Sequence, residues 1–253
     1  MSTKPTIALV PGSFSTTAAY DKVIEQLSKH GYPVLRIELK SVGGTIPATS
    51  LDDAAHIGSV LAPLVEEGKE IVVVMHSYGG IPGTDGTKGL AKVDQTAAGK
   101  KGGVIALVYV AALMVKQGAS LATTRGETGP LPDWVTFDGA FMSMNTTLAA
   151  RETLSDLPPE EAEKWAHIFE KHSAASFGTE LEYPAYRYIP SWYILTENDK
   201  IVEPELQQRM VDRAREENST PIKVVKLQAG HAPIISQPEK VVDVIREAAR
   251  EDP

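Results

Sequence analysis

An α/β architecture, a mostly parallel sheet flanked by helices, is predicted by three observations. Short apolar runs alternate with segments of helical spacing along most of the chain. Two of those runs, Ile71 to Met75 and Val104 to Leu113, are almost continuously apolar, as in parallel strands covered on both faces. From about Lys116 to Pro190 the rhythm breaks into Pro and Gly punctuation with scattered aromatics. Repeated βα units form a parallel sheet with right-handed crossovers, and the break reads as an insertion over the carboxyl edge of that sheet, where open α/β folds bind ligands. The expected organisation is a core in two parts, residues 1–115 and 191–253, with a helical cap at 116–190. The cap enters before the strand that carries an acidic site residue.

The elements follow in order. Thr6 to Val10 is a strand ending at Pro11-Gly12, and Tyr20, Val23, Ile24 and Leu27 recur at helical spacing until Gly31. Val34 to Leu39 reads as a second strand. Ile57, Leu61, Leu64 and Val65 mark a helix from near Ser50 to Gly68. After the strands at 71–75 and 104–113, Trp192 to Leu195 and Ile222 to Leu227 are the remaining strands. Leu206, Met210 and Ala214 line a helix, as do Val241, Val242, Ile245 and Ala249. Pro82-Gly83 should shorten or disturb the helix that follows Ser77. In the insertion, Pro158-Pro159-Glu160-Glu161 starts one helix, since proline and acids suit a first turn. Ala162, Trp165, Ala166 and Phe169 would line its apolar face.

Composition removes several function classes. At 253 residues, 42% hydrophobic and 23% charged, the chain has ample material for one large core. A net charge of −8 and the lack of a basic stripe exclude nucleic acid as a partner. Cysteine is absent, which rules out a thiolate nucleophile, and no His-x-x-x-His or carboxylate cluster has metal-ligand spacing. No stretch of about 18 apolar residues could cross a membrane, and Met1 to Thr6 carries no apolar signal region. A cytoplasmic protein acting on a small molecule is expected; a homodimer is left open.

The chemistry concentrates where Ile71 to Val74 gives way to Met75-His76-Ser77-Tyr78-Gly79-Gly80. A serine on a tight strand-to-helix turn projects its hydroxyl above the sheet edge. An alcohol is a poor nucleophile at neutral pH and needs a base, which itself needs an orienting acid. Asp199 follows the strand at 192–195 and His231 follows the last strand, each just beyond a predicted carboxyl end. The order Ser77, Asp199, His231 is that of one large class of serine hydrolases. Glu197 and Glu203 compete for the acid role, but Asp199 directly precedes Ile201-Val202 and a helix start bearing Pro204. For an oxyanion hole, the amide of Tyr78 and that of Ser13 in Pro11-Gly12-Ser13-Phe14 are the expected donors. Phe14 and Tyr78 are the expected substrate contacts. His76 should point into the sheet–helix packing, and His167 and His172 should sit exposed on the insertion helix.

Val10-Pro11-Gly12-Ser13-Phe14, His76 to Gly80, Thr196 to Gln207 and Gly230-His231 together resemble the small α/β-hydrolases related to plant methylesterases and hydroxynitrile lyases, and their microbial cousins. The resemblance spans nearly the whole chain and is weakest across the insertion. It implies the α/β-hydrolase fold without an N-terminal antiparallel pair, a helical cap, and cofactor-free hydrolysis of carboxylic esters; lactones and thioesters pass through the same tetrahedral intermediate, so the triad does not choose between them. Two positions depart from the pattern. Met75 replaces the first glycine of Gly-x-Ser-x-Gly and must find room against the following helix, and Pro11 stands where histidine is common. A carbon–carbon lyase of the hydroxynitrile type would place a cation beside the histidine, where this chain has Ala232. A ligand sensor built on the same fold is the alternative outside enzymes.

Overall fold

The computed structural model describes residues 4–126, 132–218 and 220–250; Met1 to Thr3 of the opening stretch lie outside them. The first part of the core runs β1 (Thr6–Val10), α1 (Asp21–Lys29), β2 (Val34–Arg36), α2 (Ser50–Glu66), β3 (Glu70–His76), α3 (Gly80–Asp85), α4 (Lys92–Ala97) and β4 (Gly103–Val110). The intervening stretch holds α5 (Leu121–Gly126), β5 (Val135–Asp138), β6 (Phe141–Met144), α6 (Thr146–Thr153), α7 (Pro159–Glu163), β7 (His172–Ser173) and α8 (Ala175–Gly178). The chain then returns through β8 (Ser191–Thr196), α9 (Pro204–Glu216), β9 (Ile222–Leu227), α10 (Pro233–Ser236) and α11 (Pro238–Ala248).

Six strands form one sheet in the order β2-β1-β3-β4-β8-β9, and all its pairings are parallel. Both faces are covered, which is why the strands read as continuous apolar runs. In β1, Ala8 and Val10 join one core cluster while Ile7 and Leu9 join the other. In β3, Ile71, Val73 and Met75 alternate with Val72 and Val74 in the same way. The two-residue strand period thus feeds two separate helical layers. Among the described residues, no helix is long and apolar enough to cross a membrane.

Four expectations change in the folded chain. The second strand stops at Arg36: Ile37 makes one further backbone bond, to Leu9 O at 3.1 Å. Leu39 stays buried without belonging to the strand. The fourth strand ends at Val110 although its apolar run continues. Ala111 takes a positive φ of 45°, and Leu113 N–H bonds to Ser77 O at 3.0 Å, folding the run over the turn at Ser77. The single insertion helix becomes two pieces, α7 and a 3₁₀ turn at Ala166–Ile168, separated at Trp165. The insertion also contains an antiparallel sheet, β5-β6-β7, built from segments too short to show a period in sequence.

The unusual Met75 is accommodated from the facing helix. A Cβ built on Gly83 would lie 2.6 Å from Met75 Cγ and Sδ, so the side chain that β3 gains occupies space that α3 leaves. Pro82-Gly83 sits inside α3, which is only six residues long. Gly83→Ala is expected to destabilise the protein by about 1–3 kcal/mol through overpacking. Combined with Met75→Ala, the loss should fall short of the sum of the single losses by about 1 kcal/mol or more. Strictly additive losses in a denaturant double-mutant cycle would show that the two residues do not share this space.

Candidate active site

The carboxyl ends of β3, β8 and β9 bring Ser77, Asp199 and His231 together. Ser77 begins the turn after β3 with φ 52°, a left-handed conformation that a non-glycine residue adopts only under constraint. The constraint is close backbone approach. A Cβ on Gly79 would overlap the carbonyl oxygen of Pro11, and one on Gly80 would lie 2.6 Å from Leu113 O. The turn is therefore wedged between the loop after β1 and the segment that follows β4, and only glycine fits at both positions.

His231 Nε2 lies 2.9 Å from Ser77 Oγ, and its Nδ1 lies 2.8 Å from Asp199 Oδ2. All three residues are buried. An ionised carboxylate only accepts, so Nδ1 carries the proton and Nε2 is free to accept from the serine hydroxyl. Asp199 also accepts from the Ile201 and Val202 amides at 2.8 and 3.0 Å, from Thr196 Oγ1 at 2.9 Å and from Gln207 Nε2 at 3.0 Å. Burial pushes its carboxyl up. Electrostatic attraction to the His231 imidazole, its hydrogen bond and the two backbone amides outweigh this and leave the group below the usual carboxylate range. Of the competing acids, Glu197 bonds to Gln228, and Glu203 stands at the start of α9.

Thr196 and Gln207 were not singled out in the sequence. Gln207 is fully buried on α9; its Oε1 accepts from Thr196 N–H at 3.1 Å while its Nε2 donates to Asp199. The available signal was a polar residue on the same helical face as Leu206 and Met210, where burial demands a partner.

His76 does not point into the sheet–helix packing. It lines the same cavity as Ser77, with its Nε2–H donating to His231 O at 2.9 Å and the rings 4.8 Å apart. Its buried Nδ1 has no hydrogen-bond partner among the described residues. Burial, reinforced by the His231 charge, pushes this imidazole down to about 3 and keeps it neutral. The cause is local, because the strand continues through His76 and its side chain falls on the carboxyl edge beside His231.

Ser13 and Phe14 both line the cavity. A Cβ on Gly12 would lie 3.0 Å from Ser77 Cβ and 3.1 Å from His76 Nδ1, so the loop after β1 presses directly on the turn at Ser77. The Tyr78 side chain is not a cavity contact. It is fully buried, and its hydroxyl donates to Asp53 Oδ2 at 2.8 Å, because the tight turn throws residue 78 inward when it throws residue 77 outward. The Tyr78 ring is therefore not the expected substrate contact. His167 is exposed as expected, but His172 is fully buried in β7. There it accepts from the Phe14 amide at 3.1 Å.

The cavity and the open solvent space at its mouth together span about 1030 Å³. Its walls are apolar: Trp134, Met144, Leu154, Phe169, Leu206 and Ile234 represent contributions from both the insertion and the core. None of the described lining residues is Lys, Arg, Asp or Glu. Among the described residues, no group of three or more His, Asp or Glu could hold a metal ion.

Comparison with known proteins agrees with this architecture. A probable hydrolase from Phoma sp. is 36% identical over 251 residues, covering 98% of this chain and 99% of the relative. Two solved structures share the fold. A pyrethroid hydrolase from Sphingobium faniae has a TM-score of 0.72 and 24% identity, covering 97% of both chains. A methylesterase from Arabidopsis has a TM-score of 0.71 and 18% identity, covering 96% of this chain and 98% of its own. The profile of the alpha/beta hydrolase family matches residues 7–244, and the chain belongs to that family.

Proposed function

We propose that the protein is a cofactor-free hydrolase of small or medium, largely hydrophobic carboxylic esters, with lactones and thioesters as chemically equivalent substrates. One observation carries this reading: a buried imidazole bridges Ser77 Oγ at 2.9 Å and Asp199 Oδ2 at 2.8 Å, and Ser77 and His231 line an apolar cavity. Ser77 Oγ attacks the acyl carbon as His231 Nε2 takes its proton, giving a tetrahedral oxyanion that the Ser13 and Tyr78 amides stabilise. His231 returns that proton to the leaving alkoxide, and the acyl group remains on Ser77. Water then attacks the acyl-enzyme with His231 again as base, releasing the acid and restoring the serine. Asp199 holds the tautomer and stabilises the imidazolium that forms in each half-reaction.

The apolar lining supports the substrate class, since a charged acyl group would lose its hydration without a partner. It also disfavours cyanohydrin cleavage: Ala232 lines the cavity beside His231, and no described lining residue is a cation. The names of the relative from Phoma sp., a probable hydrolase, and of the structural neighbour from Sphingobium faniae, a pyrethroid hydrolase, agree with hydrolysis.

A fluorophosphonate probe should label Ser77, and Ser77→Ala should abolish labelling and lower turnover of p-nitrophenyl butyrate by about six orders of magnitude. Labelling at another residue, or retention of most activity, would refute the assignment. Asp199→Asn should lower kcat by about 10⁴-fold, because an amide cannot hold the reactive tautomer; a loss under tenfold would argue for another acid. In a series of p-nitrophenyl esters, kcat/KM should rise about fourfold per added acyl methylene until the cavity fills. A preference for an anionic acyl group such as succinate would contradict the proposed substrate class.

A further inference from the structure

Phe14 adopts φ 59°, a left-handed conformation that its side chain disfavours and that only its surroundings can hold. Both polar groups of its backbone are held by the stretch 168–173. The Phe14 amide donates to His172 Nδ1 at 3.1 Å, and Phe14 O accepts from Glu170 N–H at 2.7 Å. Two residues on, Thr16 N–H donates to Ile168 O at 3.2 Å. The Phe14 ring lies 5.1 Å from the His172 imidazole, centroid to centroid.

These bonds fix the state of His172. Nδ1 accepts an amide proton and must be bare, so Nε2 carries the hydrogen and donates to Ser176 Oγ at 2.7 Å. Ser176 in turn donates to Ser173 O at 2.8 Å. Every donor and acceptor in this chain is matched only when the imidazole is neutral, and burial pushes His172 down to about 3, well below neutral pH. The same imidazole meets the Tyr78 ring edge-on at 5.0 Å. Beyond Tyr78, the Asp53 carboxylate accepts from the Ser41 amide at 2.9 Å and from the Ser41 hydroxyl at 2.6 Å. His172 therefore touches the loop bearing one proposed oxyanion donor and the residue bearing the other.

We propose that His172 is a positioning residue for the oxyanion hole: its Nδ1 captures the Phe14 amide, holds the left-handed turn, and leaves the preceding amide, that of Ser13, to face the acyl oxygen beside Ser77. The inference rests on the hydrolase reading given above. A loop released from this restraint would relax toward ordinary φ and withdraw the Ser13 donor. The stretch that supplies His172 acts here as part of the catalytic wall.

His172→Leu keeps bulk but removes the acceptor, whereas His172→Asn can place its amide oxygen near the Nδ1 position. With p-nitrophenyl butyrate, His172→Leu should lower kcat about 100-fold, with KM changed less than threefold, as expected for loss of positioning. His172→Asn should recover at least about tenfold of that loss, although it too forfeits the Ser176 bond. In the wild type, imidazole nitrogen NMR should show His172 with bare Nδ1 and protonated Nε2. Equal kcat losses in both variants, a loss confined to KM, or a protonated Nδ1 would overturn the proposal. Intact Ser77 labelling by fluorophosphonate with unchanged kcat in His172→Leu would sink this inference alone. Absence of Ser77 labelling in the wild type would sink the hydrolase reading and this one with it.

Discussion

A carboxylate buried behind an imidazole is the arrangement on which the rest of this structure depends. Removing Asp199 from water is costly, and an unpaired ion in that position would neutralise or unfold its surroundings. The protein instead supplies donors from three sources: the tight loop that follows β8, the Thr196 hydroxyl at the end of that strand, and Gln207 on α9. The remaining valence goes to His231. Each of these groups is buried or backbone, so the acid cannot drift without breaking bonds that water cannot replace. That rigidity passes through the imidazole to Ser77.

Ser77 is held from the opposite side by backbone packing. Gly79 and Gly80 let the turn after β3 sit against Pro11 and Leu113 with no side chain between, and the reward is a serine at φ 52° with its hydroxyl facing His231. Met75 shows that the requirement is volumetric, not a matter of one invariant residue type. Space withheld on the strand side is returned at Gly83 on the helix side. The loop after β1 repeats the theme at Phe14, whose strained backbone is held by bonds from Glu170 and His172. The loop after β1 and the stretch between β4 and β8 are thus joined by hydrogen bonds at Phe14, and both contribute apolar residues to the cavity.

Much of this was legible in the residues. The βα alternation, the doubly covered strands and the positions of Ser77, Asp199 and His231 just beyond strand ends follow from local periodicity. A period of two or of 3.6 is visible within a dozen residues. Ser13 and Phe14 could be placed at the cavity because they leave a strand whose direction was already known. The inserted stretch was harder. Its strands are two to four residues long, too short to display a period, and its expected helix breaks at Trp165.

The amino-acid sequence by itself determined the sheet, its helical layers and which hydroxyl, imidazole and carboxylate could meet, because these depend on short-range pattern and on the fixed geometry of strand ends. Tertiary structure alone decided the orientation of side chains at the turns. It sent the Tyr78 ring inward to Asp53, brought His76 to the cavity, and carried His172 from an expected exposed helix to a buried bond with Phe14. Those outcomes depend on partners far away in the chain, and a buried polar group goes wherever a distant donor or acceptor can satisfy it.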